Sequence, residues 1–287
     1  MRLKMKKIIN KYKNYHPSKW EALTYLTIPI FIGLLTATGS GGDIYFLINI
    51  GRYILNHGFF NIDPFTIHDG LNVVVQQWIP DILFYKAYDL FGKIGIYTIV
   101  NLCNIYFVFI TYKLLMLVTE KRRNLSVAFT MVITLVFSLQ FVSSRPQMFS
   151  YPLLMTELYF LEKYFKNGNW KDLIPLPIIS LILINCHASM WLMVFCMWLP
   201  FLLNTLSTRK EKKHLLIFGI LMFIVGFINP YGYKSMSYVL TSYGVSEIND
   251  LVFEMQPISI HSVLGIIIYV IIFSIILFYV INKKKKN

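Results

Sequence analysis

The chain has 287 residues, of which 56% are hydrophobic and 14% charged, and its mean hydropathy is +0.58. Soluble domains hold about 45 to 50% apolar residues, so this composition excludes an ordinary soluble domain and points to an integral membrane protein. The formal net charge of +13 is dispersed and comes with no RNA- or DNA-binding motif, which excludes a nucleic-acid partner as its explanation.

A basic segment, residues 1–21, opens the chain. Apolar runs then fall at 22–38, 94–118, 125–143, 147–163, 173–187, 190–206, 215–230 and 263–281, near the roughly 20 residues a tilted helix needs to cross hydrocarbon. The expectation is an all-α polytopic protein of about eight transmembrane helices. It forms a single transmembrane domain over 1–287, with a first outer loop at 39–92, a last outer loop at 231–262 and a basic tail at 282–287. The first run is expected to be retained rather than cleaved, because its basic flank is long and its apolar core extended for a signal peptide.

Charge placement supports this count. Seven basic residues precede the first run; three lie at 121–123, three at 163–171, four at 209–213 and four at 283–286. These alternate segments hold 21 of the 27 Lys and Arg, the bias that marks cytoplasmic connections. Arg52, Lys86, Lys93, Arg145 and Lys234 fall mainly on the other side. Both termini are therefore expected in the cytoplasm, and the setting is expected to be a bacterial plasma membrane. Cys103, Cys186 and Cys196 all sit in apolar runs without metal-knuckle or redox spacing and read as packing residues.

The first outer loop is unusual in length and chemistry. It contains Asp43, Arg52, His57, Asp63, His68, Asp69, Gln76, Gln77, Trp78 and Asp81, and it is too aromatic to be disordered. Residues 44–56 place Leu47, Ile48, Ile50, Ile54 and Leu55 toward one side of a helix and Asn49, Arg52 and Asn56 toward the other, as for a helix lying in the membrane interface. NIDPF reads as a turn, since Pro64 keeps Asp63 out of helical geometry. QQWIPDILFYKAYDLFG forms a second amphipathic stretch leading into the second run.

These strings, D-x-x-x-x-L-x-x-G-R-x-I-L-x-x-G, D-P-F and Q-W-I-x-D-I-L-F-Y-x-x-Y-x-L-F-G, resemble the first outer loop of GT-C class membrane glycosyltransferases. The likeness is to the branch related to protein O-mannosyltransferases and to lipid-A and lipopolysaccharide sugar transferases. S-R-P-Q-M-F-S (144–150), N-C-H-A-S (185–189), N-P-Y-G (229–232) and F-E-M-Q-P (253–257) follow in order. The chain departs from the pattern after Asp43, where Ile44, Tyr45, Phe46 and Leu47 replace the tryptophans and histidine often found there. Many relatives also continue beyond the equivalent of KKKKN with further spans or a soluble outer domain.

The resemblance implies inverting transfer of a sugar from a polyprenyl-phosphate carrier to an acceptor hydroxyl, the acceptor being a glycan, lipid or protein. Asp43 matches the general base, and it equally suits a plain helix N-cap. Arg145, and after it Arg52, are candidates for holding the lipid phosphate, against snorkelling to headgroups. His187, at the end of an apolar run, is a substrate contact or a satisfied structural histidine. Glu254 orients substrate or caps the last span. Asp63 is a substrate contact or a turn residue, and Gln77 completes the candidate set. No cofactor is expected, and no histidine and acid set has zinc-ligand spacing, with a divalent metal left open. A silent assembly or accessory protein and a lipid or sugar transporter are the competing readings.

Overall fold

The computed structural model describes residues 17–38, 43–67, 69–208 and 213–242, and beyond them 259–262 and separate helical positions between 265 and 277. Contacts divide the chain into two units, Met1–Val239 and Leu240–Asn287. The ordered elements among the described residues are helices, with one isolated antiparallel bridge, Ile62 to Asn72, in place of any sheet. The longer helices of the first unit are α1 (Lys19–Thr36), α2 (Ile44–His57), α3 (Trp78–Val118), α4 (Arg123–Gln140), α5 (Gln147–Asn167), α6 (Pro175–Cys186), α7 (Met193–Thr208) and α8 (Lys213–Val225), and a one-turn helix follows at Tyr233–Met236. Single 3-10 turns lie at Trp170–Leu173 and Ala188–Met190.

Local chemistry sets several of these boundaries. Ser18 and Glu21 form a reciprocal capping box, so α1 starts three residues before the first apolar run. Gly92, at φ 58, interrupts α3, leaving an amphipathic half up to residue 91 and an apolar half beyond it. The long loop and the second run are thus joined by a bend where only glycine is unstrained. Gly168 caps α5 in the left-handed region, and Pro175 opens α6 where its missing N–H costs nothing. In the second unit the Ser262 hydroxyl accepts the Gly265 N–H; the apolar run at 263–281 lies largely outside the described residues.

Side-chain bonds show how the helices run. Arg123 donates to the Pro17 carbonyl at 2.8 Å, and Thr36 donates to the Ser138 carbonyl at 2.8 Å, so α1 and α4 are parallel. Lys166 reaches the Leu117 carbonyl at 2.7 Å, bringing the C-terminal ends of α3 and α5 together. Ser180 donates to the Met222 carbonyl and Asn185 to that of Ile228, which aligns α6 with α8. One end of the bundle gathers Lys113, Lys121, Arg122, Arg123, Lys166 and Lys171; the other gathers the long 43–77 segment and the turns after α4, α6 and α8. The two largest apolar clusters of the interior lie around Phe84, Phe107, Phe137 and Met148 and around Leu161, Leu176, Leu183 and Leu215, with smaller ones at Ile50, Ile54 and Val75 and at Ile184 and Trp191.

Two helices among the described residues, Trp78–Val118 and Arg123–Gln140, are long and apolar enough to cross a membrane; Lys213–Val225 is apolar but shorter. At about 1.5 Å per residue, the 12 residues of α6 reach roughly 18 Å. The expected amphipathic helix in the first loop is present as α2, which buries Ile44, Leu47, Ile48, Ile50, Gly51 and Ile54. Leu55 departs from the expected side and is exposed, while its neighbour Ile54 is buried.

Candidate functional site

Five segments distant in sequence are tied together at the loop-rich end. Asp43, at the head of α2, and Arg145, in the turn before α5, form an ion pair at 3.0 Å. Asp43 occupies the N-cap position of α2, yet its side chain makes no capping bond; the carboxylate turns to the guanidinium instead. The Asp43 side chain is 61% exposed and that of Arg145 32%. A pair this open contributes about 0.2 to 1 kcal/mol, so it orients two reactive groups more than it holds the bundle together.

The 185–189 turn docks on the segment before α3. The Gln76 carbonyl accepts the Ala188 N–H at 2.9 Å, and the Gln76 Oε1 accepts the Ser189 N–H at 3.2 Å. Trp78 donates its indole N–H to Asn185 Oδ1 at 2.9 Å. His187 is buried, with Nδ1 3.1 Å from the Ser150 hydroxyl, one turn into the helix that Arg145 precedes. The 229–232 turn joins through Tyr231, whose phenol donates to the Phe60 carbonyl at 2.8 Å. Each of the 43–60, 76–78, 145–150, 185–189 and 229–232 segments is therefore tied to another by direct bonds.

Beside these contacts lies a cavity of about 230 Å³ whose lining includes Phe46, Phe60, Phe65, Asp63, Gln76 and Gln77. Asp63 also accepts the Phe65 N–H at 2.8 Å, an Asx turn that fixes the NIDPF bend. Tyr53 stacks on His57 at 4.4 Å and meets Phe60 and Phe65 edge-on, so the loop is held by rings. Asp63 and Gln77 share this cavity, while Asp43, Arg145 and His187 are not among its lining residues. Arg52 is exposed on the polar side of α2 and makes no ion pair among the described residues. Glu254 lies outside the described residues. Among them, no group of three or more His, Cys, Asp or Glu is placed to hold a metal ion.

Gln76, Asn185, Ser150 and Asp81 lie in the stretches singled out from the sequence but were not among its candidate site residues. Asp81, in the first turn of α3, has no exposed surface, and neither carboxyl oxygen has a hydrogen-bond partner. Burial holds its pKa well above the ordinary carboxylate value. Burial likewise raises the Tyr231 phenol. The folded chain keeps a proton on Asp81 that the unfolded chain releases. Stability from this group is therefore greatest below the ordinary carboxylate range and falls as pH climbs toward the raised value. Asp81→Asn should match the wild-type melting temperature in acid and equal or exceed it at neutral pH, when melting is followed against pH. A variant that matches wild type in acid and melts lower at neutral pH would show that the folded chain uses Asp81 as a carboxylate.

These features define an all-helical chain with a tied, half-open polar centre at one end of its bundle. Comparison with family models, with curated proteins and with solved structures finds no match.

Proposed function

We propose that the chain is an integral membrane glycosyltransferase that takes a sugar from a polyprenyl-phosphate carrier and places it on an acceptor hydroxyl at the outer face. The observation that carries this reading is the direct bonding among five distant segments, one tie of which is the ion pair of an acid and a guanidinium. Those segments overlap the strings that resemble GT-C enzymes. In the reaction, Asp43 takes the proton as the acceptor oxygen attacks the anomeric carbon. The bond from that carbon to the phosphate oxygen breaks, and the polyprenyl phosphate leaves with the electron pair. Arg145 beside it supports the growing phosphate charge, and a guanidinium fork suits phosphate oxygens. Arg52 is the second cation within the loop. The aromatic cavity with Asp63 and Gln77 offers ring faces and hydrogen-bonding groups of the kind a sugar needs.

A second reading draws on the same ion pair. Asp43 committed to Arg145 acts as a staple between α2 and α5 in a catalytically silent accessory protein. Incubating purified protein with a panel of polyprenyl-phosphate sugars, and following release of the polyprenyl phosphate, separates the two. Turnover of any donor supports the transferase; absence of release across the panel with folded protein supports the staple.

The proposed topology has eight spans with both termini in the cytoplasm, supported by the concentration of basic residues in alternate connections. In a variant freed of Cys103, Cys186 and Cys196, single cysteines at Lys121 and Lys166 should resist a membrane-impermeant thiol reagent in intact cells. A cysteine at Asp69 should react. Labelling at 121 with protection at 69 would reverse the orientation.

A further inference from the structure

A second cavity, of about 540 Å³, opens at the lysine-rich end between the last turns of α3 and α5, at the opposite end of the bundle from the Asp43 and Arg145 centre. Its size is that of a small-molecule site. Lys113, Lys121 and Lys166 line it along with Glu120, while Met116, Leu117 and Tyr159 give it an apolar body. Three ammonium groups face Glu120, and Lys166 also pairs with Glu162 at 4.0 Å, which leaves a surplus of one positive charge around a greasy slot.

The bland explanation is that lysines complement the negative C-terminal ends of two helices. Lys166 does so directly, donating to the Leu117 carbonyl at 2.7 Å. That accounts for one lysine and does not account for the open space among all three. The turn that supplies Glu120 and Lys121 holds both in the left-handed region, at φ 54 and φ 66, where a side chain costs about 1 to 2 kcal/mol per residue relative to glycine. The backbone is pinned there by the Lys121 N–H to Met116 carbonyl bond at 2.8 Å. Lys121 is thus kept at the rim of the cavity in a conformation that favours glycine. Lys113, one turn further in, lines the cavity and holds its ammonium over the Phe109 ring at 4.7 Å from the centroid.

We propose that this cavity binds one anionic phospholipid of the adjacent leaflet. Lys113, Lys121 and Lys166 receive its phosphate, and the start of an acyl chain lies along Met116, Leu117 and Tyr159. A charged head joined to an apolar tail matches the division of the lining, and a basic recess between helices at headgroup depth is the form such sites take. The assignment rests on the chain lying in a bilayer and not on the transfer reaction. Its test reads lipid binding, so loss of transferase activity leaves it standing, and a reversed topology moves the site to the other leaflet without removing it.

Purified full-length chain in neutral detergent is titrated with phosphatidylglycerol, with phosphatidylcholine and with glycerol 3-phosphate, following melting temperature and lipid adducts by native mass spectrometry. Phosphatidylglycerol should bind about fivefold more tightly than phosphatidylcholine, the preference expected from one surplus charge near a membrane surface. Lys113→Gln with Lys121→Gln should abolish that preference, Lys113→Arg with Lys121→Arg should keep it, and Lys171→Gln, outside the cavity, should leave it unchanged. Should the double glutamine variant fail to fold, the single rim variant Lys121→Gln must still lose part of the preference. Equal binding of the two lipids, or an unchanged preference in the glutamine variants, overturns the site. Displacement of phosphatidylglycerol by equimolar glycerol 3-phosphate overturns the lipid as its occupant.

Discussion

Asp43→Asn should lower sugar transfer about 10²- to 10⁴-fold, the usual contribution of a positioned general base, with little change in donor affinity. The amide keeps the shape of the carboxylate and cannot take the acceptor proton. Because the carboxylate lies 3.0 Å from Arg145, the two residues should not behave independently. Arg145→Ala should weaken donor binding and slow transfer together, since phosphate is present in the ground state and gains charge as it leaves. Arg145→Lys should recover part of the loss, because an ammonium restores charge without the planar fork. The double variant Asp43→Asn, Arg145→Ala should cost clearly less than the two single effects combined, as groups acting as a unit do. Steady-state transfer by the four proteins at equal folded amounts checks this. Wild-type turnover in Asp43→Asn would remove the base; strict additivity would separate the pair.

Gly51→Ala should be among the most damaging single-methyl changes in the chain. A Cβ on Gly51 would lie 2.1 Å from the Asp81 carbonyl oxygen and 2.5 Å from its carbon, both backbone atoms that no side-chain rotation can move. Alanine in an unpacked helix stabilises by about 1 kcal/mol over glycine, so any loss of stability here reports close approach rather than propensity. Forced separation of α2 from the first turn of α3 should cost about 1 to 3 kcal/mol, the usual range for overpacking. It also shifts Asp43 at the head of α2, and misplacement on the order of 1 Å costs about 10²-fold in rate. Melting and transfer should therefore fall together in Gly51→Ala, while Asn56→Ala on the exposed side leaves both unchanged. Wild-type melting in Gly51→Ala would mean that α2 does not sit against α3 in this way.

The helices were legible because apolar runs and caps act locally. The runs at 125–143 and 147–163 correspond closely to α4 and α5, and the 3.6-residue period at 44–56 identified α2 and nearly all of its buried side. The loop chemistry was less legible, for a physical reason. Gln76 and Gln77 are neighbours of the same type, and which one receives the Ala188 and Ser189 N–H groups depends on where a turn more than a hundred residues away comes to rest. Sequence reasoning chose Gln77, which lines the cavity; Gln76 makes the tie. Asp81 follows Pro80 at a helix start, where acids ordinarily face water, and only the packing of α2 through Gly51 reveals its burial. Asp43 was readable as base or cap. Its lack of a capping bond and its turn toward Arg145 depend on the placement of α5, to which no local period points.

The hydroxyl bonds between α1 and α4 also set an order of events during synthesis. Thr36 donates to the Ser138 carbonyl, and Ser138 donates to the Pro29 carbonyl at 2.8 Å, yet 102 residues separate Thr36 from Ser138. At about 5 to 20 residues per second, that gap lasts on the order of 5 to 20 s. During it the Thr36 hydroxyl has partners in its own helix, the Ile32 and Gly33 carbonyls at 3.2 and 3.1 Å, so α1 can wait without leaving a donor unsatisfied. A ribosome stalled before residue 138 would thus display a first helix that is formed but not yet in register. The final seat of that helix is set only after nearly half of the chain has been made.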